Sequence, residues 1–373
     1  MHPAVDPHPN SKSNQYIANP QRDQPTRMRT SSIVCVVVGI VAILFPNTFA
    51  ATVVKTLNQL TAKADRAYEA GNSDAAITEY NRVLALNLTP AQASVALMRR
   101  GNCYEAKHDL ERAIADYDQA LRLDPKNAAA YDNRAIALEA RGDRDDAIKD
   151  YNEALRLTPR NATAYLNRAG LFLEDGDLSR ALDDYTKALT INGQLAEAHC
   201  GRADIYLWRE QPSKALVEAD AAIAADAHAI CGYSSRAHAY VALGRYVDAQ
   251  TDVEKALKVK TYDPTLAFSA LAWFRATCPD AHFRNGKQAL EAARKRCQPS
   301  NYFNYFCLDL LAVAYAEVGD FDQAVSYETQ ALEKAPPHGP RFLKMKKRIE
   351  LFKQHQPYRE ETNSRTAQDR QSH

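Results

Sequence analysis

The sequence predicts an all-α protein, a solenoid of about eight helical hairpins closed by a C-terminal cap helix. Three observations carry this. Between Tyr131 and Pro159 (YDNRAIALEARGDRDDAIKDYNEALRLTP) two helix-periodic segments flank a break at Arg141-Gly142-Asp143. The pattern returns from Tyr165 as YLNRAGLFLEDGDLSRALDDYTKALTI, and at the same interval upstream, from Leu97, in weaker form. Helices of about three turns are marginal alone in water, and the small residues Ala135, Ala147 and Ala154 ask for another helix packed close. Each hairpin therefore needs its neighbours, and a chain of this kind is expected to recognise rather than to catalyse.

Composition narrows the classes. Apolar residues at 46% suffice for a core, while 25% charged residues with a net charge of +1 give no global pull toward nucleic acid. Strands are not expected, because Val/Ile/Thr runs are nearly confined to the chain before Thr56. Residues 1–30 read as a disordered, Pro-rich n-region. Residues 31–50 read as a signal peptide cut after Ala50, or as an uncleaved membrane anchor spanning 33–54. Either reading places the repeats outside the cytoplasm, in the periplasm or secreted, or tethered to the membrane. Met28 is an alternative start.

Register marks place hairpins near 57–90, 94–127, 128–161, 162–195, 196–229, 230–263, 264–304 and 305–338 within a 55–338 solenoid. A cap helix follows at 339–356, with Phe342, Met345, Ile349 and Phe352 opposite a solvated basic face of Lys344, Lys346, Lys347, Arg348 and Lys353. From 357 to 373 the polar tail is expected to be disordered.

One pattern is stricter still. Arg100, Arg134, Arg168, Arg202 and Arg236 recur at one fixed interval, and so do Asp116, Asp150, Asp184, Glu218 and Asp252. A buried arginine is tolerable only when paired, and an acid at matching period supplies the partner. A ladder of ion pairs inside the solenoid is expected, within a hairpin or between neighbours.

The spacing of Gly101, Tyr104, Ala113, Tyr117, Ala120 and Pro125, repeated from about Leu57 to Pro336, resembles the tetratricopeptide repeat. The end of the chain, LAWFRATCPDAHFRNGKQALEAARKRC onward, also looks like a terminal module of exported bacterial repeat proteins. The first resemblance implies a right-handed superhelix whose first helices line a groove that holds a partner peptide or protein. Its register sends Met98, Asn102, Glu105, Asp132, Ile136, Glu139, Leu166, Leu173, Glu174, Asp204, Leu207, Trp208 and His238 to that groove, with Glu197, Cys200, Cys231, Ser234 and Val241 beside them. Asn102 and Asn133 resemble the asparagines of the family's carboxylate clamp, but its cations are missing. Acidic and apolar groups dominate, which points to a basic or apolar partner segment with Trp208 as anchor, and not to nucleic acid.

The function expected is a non-enzymatic scaffold or adaptor without a cofactor. A second reading is a cryptic metal-binding or redox protein using Cys200, Cys231 and His238, and a third is a cytosolic co-chaperone-like adaptor. The chain has no CxxC or HExxH pattern, so Cys200 and Cys231 read first as unlinked packing residues, then as a disulfide, and last as metal ligands. Cys278 and Cys297 are a candidate disulfide if the seventh hairpin's long turn folds back. Gly286-Lys287-Gln288 lacks the phosphate-loop pattern, and the sequons at Asn87 and Asn161 matter only in a glycosylating pathway.

Overall fold

The computed structural model describes residues 46–260, 264–298, 305–337 and 339–362. The n-region, the apolar run Ile33–Phe45 and the end of the tail from Asn363 onward lie outside them. The chain divides into two compact units, 1–62 and 63–373; the second holds the hairpins, including the end of the first helix from Lys63. Among the described residues there are seventeen α-helices and no strand. None of these helices is long and apolar enough to cross a membrane.

The helices pair in chain order. They are α1 (Pro46–Glu69) with α2 (Ser73–Leu84), α3 (Pro90–Glu105) with α4 (Leu110–Leu123), α5 (Ala128–Arg141) with α6 (Arg144–Leu157), and α7 (Ala162–Glu174) with α8 (Leu178–Ile191). Then come α9 (Ala196–Trp208) with α10 (Pro212–Ala225), α11 (Ile230–Ala242) with α12 (Tyr246–Lys258), α13 (Thr265–Thr277) with α14 (Gly286–Cys297), and α15 (Tyr305–Glu317) with α16 (Phe321–Lys334). The cap is α17 (Pro340–Lys353).

Local chemistry sets these bounds. Asn127 and Asn161 accept from the Ala130 and Ala164 amides at 3.1 and 3.0 Å, capping α5 and α7, while Thr89 and Gln92 form a reciprocal capping box on α3. Between α5 and α6 the chain turns through Gly142 at φ 97°, a left-handed conformation that costs glycine nothing. His108 and Glu210 take the same turn position in the second and fifth hairpins, at φ 58° and 55°.

Packing follows the small residues. Ala113, Ala135, Ala147 and Ala164 are fully buried in one continuous cluster with Tyr117 and Tyr151, so helix backbones approach closely. Gly101 faces the Tyr117 ring, and a Cβ built there would stand 2.5 Å from Cε1. In the seventh hairpin the long turn makes a 3-10 turn at Ala281–Phe283, and Phe283 packs against Tyr246 and Phe274 at ring separations of 5.9 Å.

Two expectations about the C-terminus are corrected. Arg348 is not on a solvated face. It is 1% exposed, and its Nε donates to Glu328 at 2.7 Å while Nη2 donates to Asp309. The apolar side of α17 alone does not set its seat, because two buried carboxylates on α15 and α16 draw the guanidinium inward. The ordered chain also continues past Pro357. The Glu360 amide donates to the Thr277 carbonyl at 3.0 Å, Trp273 Nε1 donates to Glu360 Oε1 at 2.8 Å, and the Tyr358 ring packs on Trp273 at 6.2 Å.

Replacing Gly101 with alanine should destabilise the chain by about 1–3 kcal/mol, since the Tyr117 ring is buried and cannot step aside. Urea denaturation of the variant against the parent measures this, and an unchanged midpoint would mean that the second hairpin is packed more loosely than described.

Candidate functional site

The helical stripe explains how one helix serves two faces. On α5, Asp132, Ile136 and Glu139 lie four and then three residues apart and share a side, whereas Arg134 points about 160° away from Asp132. Arg134 Nε and Nη2 fork onto Asp150 at 2.6 and 2.7 Å, and Nη1 reaches Asp118 of the preceding hairpin at 2.6 Å. Arg100 forks onto Asp116 and reaches Asn81; Arg168 forks onto Asp184 and reaches Asn152; Arg236 forks onto Asp252 and reaches Asp220. Each guanidinium thus holds its own hairpin and also ties it to the one before. The carboxylates hold the Arg100, Arg134 and Arg236 guanidinium charges in place, raising those pKa values further.

The fifth rung differs. Arg202 Nη2 meets Glu218 at 2.7 Å, but the other carboxylate oxygen is taken by His199 at 2.8 Å, and Arg202 Nε is buried without a partner. A sixth rung escaped the sequence reading. Lys63 donates to Glu79 at 2.7 Å, at the same separation of 16 residues. The short insert near Thr89-Pro90 shifts it off the common interval. The second acceptors Asp118, Asn152 and Asp220 were also missed, although they keep the period.

The groove residues fall into two groups. In the first, Met98, Ile136, Leu166 and Leu173 are half-buried against the core clusters and form an apolar floor. Asn102 accepts from Tyr117 and from Asn133, both at 2.8 Å, so these asparagines hold each other. Glu105 accepts from Tyr117 at 2.9 Å, Asp132 from Asn161 at 3.1 Å, and Glu139 from Tyr151 at 3.2 Å. None of the three carboxylates has a salt bridge among the described residues, and Asp132 Oδ1 is buried with no partner at all. Burial raises the pKa of all three. Glu174, by contrast, is paired with Arg144, which also donates to Asp175 at 2.9 Å.

The second group is covered by the chain's own C-terminus. Arg341 and Lys344 of α17 lie over the Trp208 ring at 5.6 and 4.8 Å, and a Cβ built at Gly339 would stand 3.5 Å from the Glu174 carbonyl. Asp204 accepts from Ser235 at 2.8 Å, and burial raises its pKa while lowering that of His238, which feels Glu360, Arg341 and Lys344. Leu207 packs into the Ala203 cluster, Val241 is core, and Cys200 is buried. Trp208 is therefore seated under the cap, which corrects its expected role as an open anchor.

The cysteines also depart from expectation. Cys200 and Cys231 form a disulfide joining α9 to α11, with Cα atoms 5.9 Å apart, in place of unlinked packing. The bond takes both sulfurs out of the ligand set that the metal reading needs, and among the described residues no other His/Cys/Asp/Glu group is placed to hold a metal. Cys278 and Cys297 do not bridge. Cys278 is a reduced thiol buried with Phe274 and Val253, whereas Cys297 lies in a different cluster against Cys307.

Paired antiparallel helices stacked in register define an α-solenoid of the protein-interaction type. Family models of the tetratricopeptide repeat match residues 94–127, 133–196 and 307–340. These matches identify tetratricopeptide repeats in the chain. The chain is similar to a solved tetratricopeptide repeat protein from Parabacteroides merdae at 20% identity and TM-score 0.57, the match covering 70% of this chain and 99% of that one. Shorter matches include YrrB, described as having an unusual peptide-binding site (21% identity, TM-score 0.42, 51% and 96% of the two chains), and a thermophilic repeat protein of Thermus thermophilus (23%, 0.40, 48% and 99%). No curated protein matches by sequence.

Replacing Arg168 with leucine should cost up to about 3–5 kcal/mol, because Asp184 would keep its charge in a buried site with only the exposed Lys187, 3.7 Å away, left as a cation. Pairing it with Asp184→Leu should recover most of that loss. Denaturant titration of the two variants distinguishes this from a surface role, for which the single change would be nearly neutral.

Proposed function

We propose that this protein is a non-enzymatic scaffold that binds a basic segment of a partner protein in the open part of its groove, along α3 and α5. The observation that carries the reading is the row Glu105, Asp132 and Glu139. These carboxylates stand over an apolar floor without a salt bridge among the described residues, Arg144 acting on Glu139 only from a distance, while every ladder carboxylate is paired. A lysine- or arginine-rich segment would supply the missing charge, and its aliphatic stems would lie on Met98 and Ile136. An extended or helical segment fits such a groove equally by chemistry. We further propose that the repeats work outside the cytoplasm, for which the Cys200–Cys231 disulfide is the support, since such bonds persist in oxidising compartments.

Binding should depend on pH in a defined direction. A carboxylate whose pKa is raised becomes neutral at a higher pH than usual, so affinity for a basic peptide is full near neutrality. It falls as acidification passes through the raised values. Fluorescence anisotropy with Lys/Arg-rich and Asp/Glu-rich peptides on the full chain tests the reading. The double variant Asp132→Asn/Glu139→Gln should weaken basic-peptide binding at least about tenfold, about 1.4 kcal/mol. Trp208→Ala should leave it within about twofold, about 0.4 kcal/mol, because that ring lies under α17. Equal binding of acidic peptides, or loss with Trp208→Ala alone, would move the site elsewhere.

A further inference from the structure

We infer that Cys297 and Cys307 are a second disulfide site, which staples α14 to α15 and stiffens the module that carries the cap. The two residues are the last of α14 and the third of α15, close together in the chain. Their thiols hydrogen-bond each other, and both side chains are fully buried in one cluster with Ala276, Ala293, Leu311 and Phe352. No other pair of reduced cysteines in the described residues shares a core cluster. Cys103 lies in the first hairpin's cluster and Cys278 in the sixth and seventh hairpins'.

The chemistry decides when the bond can form. Thiol–disulfide exchange needs a thiolate, and both the neighbouring thiol and burial push the Cys297 pKa up. In the closed core the pair is therefore inert toward reagents, and the bond forms while the chain folds. An external disulfide such as oxidised glutathione is the oxidant. One cysteine thiolate attacks it and expels a thiolate that takes up a proton; the second cysteine then displaces the remaining half. One S–S bond forms in the chain, one breaks in the oxidant, and the two electrons and two protons leave as two thiols. Once formed, the bond is shielded by the same packing, so a reductant reaches it only through unfolding.

The position gives the bond a role. The cluster that holds the two thiols also holds Phe352 of α17 and packs against Tyr358 and Trp273. Fixing α14 to α15 fixes the platform from which α17 returns to cover Trp208.

The test uses the full chain refolded with reduced and oxidised glutathione, in preparations where the Cys200 and Cys231 peptides are recovered bridged. The protein is then denatured and alkylated without reductant, and its peptides are weighed. Cys103 and Cys278 should be alkylated. Cys297 and Cys307 should be recovered as one linked pair lacking two hydrogens, and should accept alkylation only after reduction. In Cys307→Ser, Cys297 should become alkylated without reduction. Alkylation of Cys297 and Cys307 to the same extent as Cys103, or a linked Cys278–Cys297 peptide, would overturn the assignment. Neither result bears on peptide binding, so this inference and the proposed function fail separately.

Discussion

The solenoid depends on what happens to a guanidinium when it is taken out of water. Each ladder arginine is only 14–22% exposed, and its carboxylate partner only 3–11%. Burying either charge alone would cost several kcal/mol. The cost is offset because Arg presents a planar fork that fills both carboxylate oxygens and still has one nitrogen to spare. In the second, third, fourth and sixth hairpins that spare nitrogen reaches an Asn or Asp on the second helix of the preceding hairpin. A lysine could make the pair but not the fork. One side chain per repeat thus fixes both the closure of a hairpin and its register on the next. The aromatic ring one helical turn earlier (Tyr131, Tyr165, Tyr233) lies under the guanidinium at 5.6–5.7 Å and supplies a further face for the charge.

Because the ladder turns inward, the opposite stripe of each first helix is left free of it. That stripe is not uniform along the chain. Toward the C-terminus it is filled by α17, and the filling is structural rather than loosely laid on. Met345 and Phe352 are fully buried, and Arg348 sits between Asp309 and Glu328 with Trp273 and Tyr358 stacked at 5.4 and 5.3 Å. Glu328 occupies the position that carries the buried Tyr117, Tyr151 and Tyr185 in earlier hairpins. An acid there is tolerable only because α17 delivers a cation to it, and burial still raises the Glu328 pKa well above the ordinary value. What remains accessible is the acidic stretch on α3 and α5.

Repetition is what made the fold legible. The constant period, the alanines and the turn glycines each constrain one repeat, and each is restated in the next, so errors in one copy are corrected by the others. The ladder was readable for the same reason. The parts that could not be read are those that occur once. Arg348 is surrounded in the sequence by Lys344, Lys346 and Lys347, and helical periodicity puts it at the border of the apolar stripe, next to Phe352, without saying which side its charge takes. Its partners lie 20 and 39 residues away, with no recurrence to link them. Cys200 and Cys231 are 31 residues apart, close to the repeat length, but bridging depends on a Cα separation that spacing does not encode. The register assigned Trp208 to the groove. It carried no sign that the chain's own end would come back to cover that ring.

The fifth hairpin shows how a weak rung is made good by other means. Its turn uses Glu210 at φ 55° where glycine stands in the first, third, fourth, sixth and eighth hairpins, and α9, α10 and α11 all start without a side-chain cap. Glu218 replaces aspartate, its second oxygen goes to His199, and Arg202 keeps one buried nitrogen unsatisfied. The equivalent of the Asp118 acceptor is Thr186, which donates to the Leu182 carbonyl of its own helix. This hairpin therefore lacks the fork, the reach to its neighbour and the caps at once. It is also where the Cys200–Cys231 bond ties α9 to α11, and where α17 presses Arg341 and Lys344 onto Trp208. A covalent link and a returning helix stand in for the polar rung, so the stack remains continuous where its repeating interaction is weakest.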